Sequence, residues 1–198
     1  MIHSEHFKGH TIEIHSDETH DSPDDWGDNN LFLVGYHRDF TITRNDIITK
    51  ATAQEVFRLG CVPKKPRKNA DNGQGAAFLG LKYHFFPLEA YIHSGVRLAL
   101  GGEGHFPDRQ WDVSLLGLVC VAKAEWRRGD TARAAPGNLM LTWNCYLTGD
   151  VYGYIINKFD DQQMEDIGIV SCWGFYGDYN KDGGALNEAK LTLKEKKA

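Results

Sequence analysis

Alternation of apolar and polar residues predicts short strands over much of this chain. Residues 10–16 alternate as a half-buried strand does, and residues 31–37 form a short apolar run suited to a buried strand. Later strand-like runs are rich in β-branched and aromatic residues, and they occupy residues 81–92, 96–100, 115–122, 139–146, 150–157 and 167–175. The pattern therefore favours a sheet-rich protein.

Helical segments are fewer and shorter. A helix is predicted from about Asp46 to Leu59, because Thr43 or Asn45 can cap its start and a glycine and a proline follow its end. Two glycines and a proline keep any helix within residues 124–138 short. The tail, residues 178–198, is predicted to be irregular or helical. The fold class that follows is α+β, a mostly antiparallel sheet with one or two packed helices.

Length and composition favour one domain. The chain has 198 residues, of which 41% are hydrophobic and 12% aromatic, so residues 1–198 are predicted to form a single domain with its own core. Residues 61–77 combine prolines, basic residues and small residues, and are predicted to form a mobile loop. The basic run Lys64–Lys68 lacks interleaved aromatic residues, so any binding to nucleic acid is expected to be weak and salt-sensitive.

Two runs in which aromatic residues alternate with glycines are the most informative feature. They are Tyr146–Tyr154 and Ser171–Gly177. The alternation predicts that residues 150–157 and 167–175 are adjacent antiparallel strands, with Tyr152 and Trp173 largely buried. The glycines leave the backbone open to close approach by another strand or a ligand.

Five sequence blocks, in this order, resemble an uncharacterised protein family found mainly in tailed-phage and prophage genomes. The blocks are Ser22-Pro23-x-x-Trp26, His93-Ser94-Gly95, Trp111-Asp112, Tyr146-Leu147-Thr148-Gly149-Asp150-Val151-Tyr152-Gly153 and Ser171-Cys172-Trp173-Gly174-Phe175-Tyr176-Gly177. Where the family usually has a glutamine after its Trp-Asp pair, this chain has Leu115. The resemblance implies a virus-encoded protein that acts in the host cytoplasm, and it implies no particular activity.

The net charge and the cysteine content limit the classes of partner and the cellular compartment that the sequence favours. The net charge of −5 gives no broad attraction to nucleic acid, so a nucleic-acid partner is disfavoured. No apolar run approaches membrane-spanning length, so no membrane partner is predicted. The N-terminus is polar and rich in histidine, so no secretion signal is predicted. The four cysteines, at positions 61, 120, 145 and 172, form no C-x-x-C pair and are expected to be free, buried thiols in a reducing cytoplasm.

Two patterns are compatible with metal binding but are better explained otherwise. Among the N-terminal histidines, His6 and His10 have a helical spacing, but their segment leads into a predicted strand, so solvated side chains are expected. Asp178–Gly183 matches the first half of an EF-hand loop, yet Ala189 stands where the bidentate glutamate belongs. We predict a turn there, with no metal and no cofactor.

His37, His93 and Asp112 are the candidate catalytic residues. The two histidines end strand-like runs and Asp112 begins one, which are usual positions for side chains that face a cleft. An aspartate that orients a histidine helps it to act as a general base, and Ser94 beside His93 is a candidate nucleophile. The simpler interpretation is a His-Ser-Gly turn whose polar groups bond to the backbone, and we favour it.

The acidic loop around Trp26 is the candidate binding site. Trp26 lies among Asp24, Asp25 and Asp28, which gives an aromatic anchor with a charged rim. Two functions follow from these sites. The one we favour is an intracellular accessory protein of viral origin that binds a protein partner and modulates a host factor or host defence. The alternative is a small hydrolase or nuclease that uses the three candidate catalytic residues.

Overall fold

The computed structural model describes residues 1–36, 41–43, 82–101, 106, 112–126, 129–160 and 165–195. The chain divides into two compact units, a first unit formed by Met1–Ser22 with Cys145–Ala198 and a second unit formed by Pro23–Asn144. The expectation of a single domain stays a prediction. The helix predicted at residues 46–59 and the mobile loop predicted at residues 61–77 lie outside the described residues.

Nine strands and two helices lie in the described part of the chain. In order they are β1 (His3–Phe7), β2 (His10–Ser16), β3 (Leu31–Tyr36), β4 (Thr41–Thr43), β5 (Tyr83–Ile92), β6 (Val96–Leu100), β7 (Val113–Ala122), α1 (Gly129–Thr148), β8 (Val151–Asp160), β9 (Glu165–Tyr176) and α2 (Ala185–Glu195). All pairings between these strands are antiparallel. The predicted α+β class is confirmed. Neither of these two helices combines the length and the apolar character needed to cross a membrane.

The first unit contains a sheet of order β1-β2-β8-β9, with α2 packed on one face. Its core consists of buried side chains from β2, β8 and α2, namely Ile12, Ile14, Tyr154, Ile156, Ala185, Leu186, Ala189 and Leu193. The strand residues of this core are two apart, as the period of a strand requires for one face. Lys190 of α2 also forms an ion pair with Glu5 of β1 at 2.8 Å. The tail, predicted to be irregular or helical, therefore contains a helix that is fixed to the sheet by its apolar face.

The second unit contains a sheet of order β4-β3-β7-β5-β6, in which β7 is central. Residues 116–122 of β7 are all buried. Gly117 lies directly opposite Gly35 of β3. A Cβ atom at Gly117 would lie 2.7 Å from the Cα atom of Gly35 and closer still to the carbonyl oxygen of Val34. No side chain fits there, so this glycine sets how closely β3 and β7 approach each other.

A side chain from α1 covers the backbone of β6 at one edge of this sheet. The amide nitrogen of Leu98 donates to Oδ1 of Asn144 at 2.7 Å, and Nδ2 of Asn144 donates to the carbonyl oxygen of Leu98 at 2.9 Å. The two hydrogen bonds reproduce the pattern that a neighbouring strand would supply. Asn144 therefore satisfies backbone groups that an edge strand otherwise presents to water or to another chain.

The prediction of a strand at residues 139–146, with only a short helix before it, is wrong. Helix α1 is continuous over Gly129–Thr148 and contains Pro136. Pro136, Met140 and Trp143 are buried, whereas Leu141 is 65% exposed. The buried positions recur at i, i+4 and i+7, which is the period of a helix face. Burial of this face outweighs the cost of a proline inside the helix.

The predicted pairing of residues 150–157 with residues 167–175 is confirmed, because β8 and β9 are adjacent antiparallel strands. The predicted burial of Trp173 is wrong, since this side chain is 45% exposed. Tyr152 is half-buried and packs against the core of the first unit. Trp173 contacts Gly153 and His15 instead, which alternate along their strands with core residues. It therefore lies on the face of the sheet that α2 does not cover.

Candidate functional site

The acidic loop that carries Trp26 is a defined turn in the second unit. The amide of Gly27 donates to the carbonyl oxygen of Asp24 at 3.4 Å. Gly27 has a φ of +69°, a conformation that favours glycine. The carboxylate of Asp28 accepts a hydrogen bond from the amide of Asn30 at 2.7 Å. These local bonds fix the backbone on the C-terminal side of the indole.

Two strands of the second unit hold the end of this turn. The hydroxyl of Tyr83, in β5, donates to the carbonyl oxygen of Asn29 at 3.0 Å. The amide of Ala122, at the end of β7, donates to the carbonyl oxygen of Asn30 at 2.7 Å. Tyr83 is itself buried, and its ring packs edge-on against Phe32 with 5.3 Å between ring centroids. The turn is therefore held in place before any partner binds.

The predicted binding residues lie at the surface of this turn. Trp26 is 52% exposed, Asp25 and Asp28 are exposed, and Asp24 is half-buried. An indole on a fixed backbone can enter a partner's pocket with little loss of conformational freedom. The geometry places an aromatic ring and a group of carboxylates on one rigid turn.

Pairing of β5 with β7 brings His93 and Asp112 together in the second unit. Tyr91 lies opposite Val113, so the residue after β5 and the residue before β7 meet at the same end of the sheet. Nδ1 of His93 lies 3.3 Å from Oδ2 of Asp112. This separation is short enough for the carboxylate to orient the imidazole, which leaves Nε2 as the nitrogen for proton transfer.

Aromatic rings and a tight turn surround this pair. The ring of Tyr91 lies 6.2 Å from that of His93 and stacks on Phe106 at 5.3 Å. The side chain of His93 is 66% exposed and that of Asp112 is 26% exposed. The amide of His93 donates to the carbonyl oxygen of Gly95 at 3.2 Å, so the His-Ser-Gly block is also a turn. Both interpretations of these residues are compatible with this geometry.

Of the two other residues proposed for this site, the structure describes only one. Ser94, the candidate nucleophile, is exposed within the turn, and His37 lies outside the described residues. Leu115 is 51% exposed on β7. An exposed leucine at that position offers contact area to a partner and cannot orient a catalytic base by hydrogen bonding.

The N-terminal histidines bond to separate partners. Nδ1 of His6 lies 3.1 Å from the hydroxyl of Thr11, and Nε2 of His15 lies 3.0 Å from Oε2 of Glu13. Nδ1 of His20 lies 2.6 Å from the carbonyl oxygen of Asp17. Over the ranges that the structure describes, no three or more ligating side chains are grouped to hold a metal ion.

The segment Asp178–Gly183 forms the predicted turn. The carboxylate of Asp178 accepts a hydrogen bond from the amide of Asn180 at 2.9 Å. Gly183 has a φ of +73°, which closes the turn in a conformation that favours glycine. The Asx- and Gly-rich pattern therefore serves to bring the chain from β9 into α2.

The expectation that all cysteines are buried is wrong for Cys172, which is exposed on β9. Cys120 is buried, and burial raises the pKa of its thiol. Cys145 lies in α1, where burial and then the negative charge of Asp150 raise the pKa of its thiol. Both effects disfavour the thiolate, so Cys120 and Cys145 are poor nucleophiles.

Asp17 is a structural residue that the sequence analysis did not identify. Its side chain is 7% exposed. Oδ1 accepts a hydrogen bond from the amide of Thr19 and Oδ2 accepts one from the amide of Gly174, each at 3.2 Å. The carboxylate thus joins the end of β2 to an irregular part of β9. An aspartate two residues before a threonine, at the end of a predicted strand, is the local signal of such an Asx turn.

Comparisons with known proteins gave no relative. No protein-family model, no curated protein and no solved structure matches this chain. The resemblance to a phage and prophage family therefore stays a prediction, and we infer function from the geometry of the two candidate sites.

Proposed function

We propose that this protein is a virus-encoded accessory protein that acts in the host cytoplasm by binding a host protein, with Trp26 as the anchor. The observation that carries this proposal is a 52% exposed indole on a turn bonded to both β5 and β7. Tryptophan is enriched among the residues that dominate binding energy at interfaces. A turn fixed in advance spares the entropy cost of ordering a loop upon binding.

The charge around Trp26 indicates a basic partner surface. No lysine or arginine lies between Lys8 and Arg38, whereas this stretch contains seven acidic residues. Asp25 and Asp28, next to the indole, are exposed. Complementary charge speeds association and excludes acidic competitors, so we infer a host protein with a hydrophobic pocket rimmed by lysine or arginine.

Truncation of the anchor tests this proposal. Trp26→Ala is expected to weaken binding to the captured host protein by about 30-fold or more, since a hot-spot side chain contributes about 2 kcal/mol or more. The measurement is affinity capture from a bacterial lysate with the wild-type protein, followed by titration of the captured partner with wild-type and variant proteins. Raising the salt concentration is expected to slow association of the wild-type protein.

The matched control for Trp26→Ala is Leu141→Ala. Leu141 is 65% exposed on α1, far along the chain from the acidic turn. The substitution Leu141→Ala, like Trp26→Ala, removes an exposed apolar side chain. The affinity of the Leu141→Ala protein for the partner is expected to equal that of the wild-type protein. Equal affinity of the wild-type and Trp26→Ala proteins for every captured partner would contradict the proposal.

A second function is favoured by one separate observation, the 3.3 Å distance between His93 Nδ1 and Asp112 Oδ2. A histidine oriented by an aspartate is the usual general base of hydrolases and of some nucleases. The exposed imidazole can reach a substrate in solution. The pair lacks a buried nucleophile in the described residues, so we rank hydrolysis below protein binding.

His93→Ala separates these two functions. If the protein is a hydrolase or nuclease, removal of the base is expected to lower the rate by about 100-fold or more, and Asp112→Asn is expected to lower it by less. The measurement uses a panel of chromogenic esters together with labelled single- and double-stranded DNA and RNA. Rates that are unchanged in His93→Ala exclude this base, and a biological effect that survives the substitution leaves binding as the function.

A further inference from the structure

The sheet of the first unit has a second face that α2 does not cover. Side chains on this face alternate with those of the core along each strand, and register places them in neighbouring rows. We call it the open face, and it includes Ser4, His6, Thr11, Glu13, His15, Ile155, Asn157, Ser171 and Trp173. It combines one large aromatic ring with hydroxyl, imidazole and carboxylate groups.

Trp173 lies directly over the backbone of β8. A Cβ atom at Gly153 would lie 2.8 Å from Cζ3 of the indole, and closer still to two other atoms of that ring. Only glycine leaves room for the ring to lie there. The opposite side of the indole faces solvent, because the side chain is 45% exposed. Trp173 therefore forms a flat apolar platform that rests on a glycine.

The backbone around Trp173 is fixed by a β-bulge. The register between β8 and β9 shifts between Tyr152 and Tyr154, and Gly174 has a φ of +83°. The amide of Gly174 donates to the buried carboxylate of Asp17 at 3.2 Å. Bulges of this type redirect a side chain, and here the direction is secured by a buried hydrogen bond.

Polar groups lie beside the platform. The ring of His15 is 6.3 Å from the indole of Trp173. Nε2 of His15 lies 3.0 Å from Oε2 of Glu13, and both side chains are 26% exposed. Ser171, two residues before Trp173, is exposed. These groups offer a carboxylate acceptor, an imidazole and a hydroxyl that can donate or accept, all next to one apolar ring.

We propose that the open face binds a neutral saccharide, with Trp173 as the stacking platform. None of the nine residues named on this face is a lysine or arginine, so phosphate-bearing ligands such as nucleic acids lack the cations that they need there. A purely apolar ligand would take the carboxylate of Glu13 and the imidazole of His15 out of water, at a cost even though the two bond to each other. A sugar ring offers an apolar C–H face to the indole and hydroxyl groups at its rim to Glu13, His15 and Ser171.

Two substitutions at the platform test this proposal. Trp173→Ala removes the ring, and Gly153→Ala leaves the ring but pushes it off the backbone. The probe is an array of neutral oligosaccharides of hexoses and N-acetylhexosamines, followed by calorimetric titration of those that bind. Binding to at least one neutral oligosaccharide is expected for the wild-type protein, and each variant is expected to weaken it by about tenfold or more. Trp173→Phe is expected to retain part of the affinity.

The control variants are Gly168→Ala and Trp26→Ala. A Cβ atom at Gly168 makes only an ordinary contact, 3.5 Å from Oδ1 of Asn157. Trp26 is not part of the open face, so its loss is expected to weaken binding of the partner protein and to leave saccharide binding unchanged. Absence of binding to all neutral oligosaccharides, equal binding by Trp173→Ala, or binding of single-stranded DNA in their place overturns the saccharide proposal. Circular dichroism of each variant separates lost binding from lost folding, and Trp173→Phe remains informative if Gly153→Ala does not fold.

Discussion

Gly117→Ala is expected to lower the free energy of unfolding by about 3 kcal/mol, the upper end for an overpacked core position. The added methyl group would lie 2.7 Å from the Cα atom of Gly35 and closer still to the carbonyl oxygen of Val34. Both neighbours are backbone atoms of β3, which cannot rotate away as a side chain does. β3 and β7 must therefore separate at the centre of the sheet. Chemical denaturation monitored by circular dichroism measures the change.

The control for this prediction is a second glycine with open surroundings. A Cβ atom at Gly137, on α1, would have no atom within 4 Å. Gly137→Ala is therefore expected to stabilise the helix by about 0.5–1 kcal/mol, because alanine has the higher helix propensity. The two substitutions add the same atoms but have opposite expected signs. A Gly117→Ala protein as stable as the wild-type protein would show that β3 and β7 do not approach as described.

Trp143→Ala is expected to lower the free energy of unfolding by about 3–5 kcal/mol, the usual cost of truncating a buried tryptophan. Trp143 is 5% exposed and lies on the buried face of α1 with Met140 and Pro136. Truncation leaves a large cavity at this face, and surrounding side chains refill it only in part. Denaturation by urea, with the midpoint and the slope measured separately, detects the loss.

Two further alanine variants make this prediction specific. Leu141→Ala changes the same helix at a position that is 65% exposed, and is expected to alter stability by less than about 0.5 kcal/mol. Trp173→Ala removes the same type of side chain where it is 45% exposed, and is expected to cost less than Trp143→Ala. An equal loss of unfolding free energy in Trp143→Ala and Trp173→Ala would contradict the described difference in burial between the two side chains.

The parts of the fold that sequence predicted are those with a clear local period. Residues 150–157 and 167–175 alternate every second residue and are separated by a short connection, which specifies two adjacent antiparallel strands. Asp178–Gly183 has the residues that a turn requires, and a turn is present. In both cases the information lies within the segment itself, so no knowledge of the rest of the fold is needed.

The helix α1 was missed because its sequence carries conflicting local signals. Pro136 and Gly137 favour a helix end, and the apolar residues that follow them lack a visible polar face. The helix is identified by which residues are buried, and burial depends on partners that are distant in sequence. Trp173 was misplaced for a related reason, because alternation shows that a strand has two faces but not which of them a helix covers.

The residues of the candidate sites were also predicted where their signal is local and missed where it is not. His93 and Asp112 were named as candidates from their positions at the ends of strand-like runs, although a simple turn was the favoured interpretation, and their distance is 3.3 Å. Asp17 and the pair formed by Glu13 and His15 were not identified, although each lies in a segment predicted to be a strand or its end. The Asx turn of Asp17 and the spacing of Glu13 and His15 are local signals, but the bond from Asp17 to β9 and the choice of the face that α2 covers depend on residues distant in sequence.

Crosslinking from position 26 tests the proposed function most directly. Replacement of Trp26 by a photoreactive tryptophan analogue keeps the indole and puts the reactive group on the acidic turn, and the same analogue at Leu141 serves as the control because that side chain is also exposed. Irradiation of bacterial cells that contain each protein, followed by mass spectrometry, identifies the adducts. The proposal predicts a covalent adduct with a specific basic host protein from position 26 and not from position 141. The same adducts from both positions, or none from position 26, would contradict it.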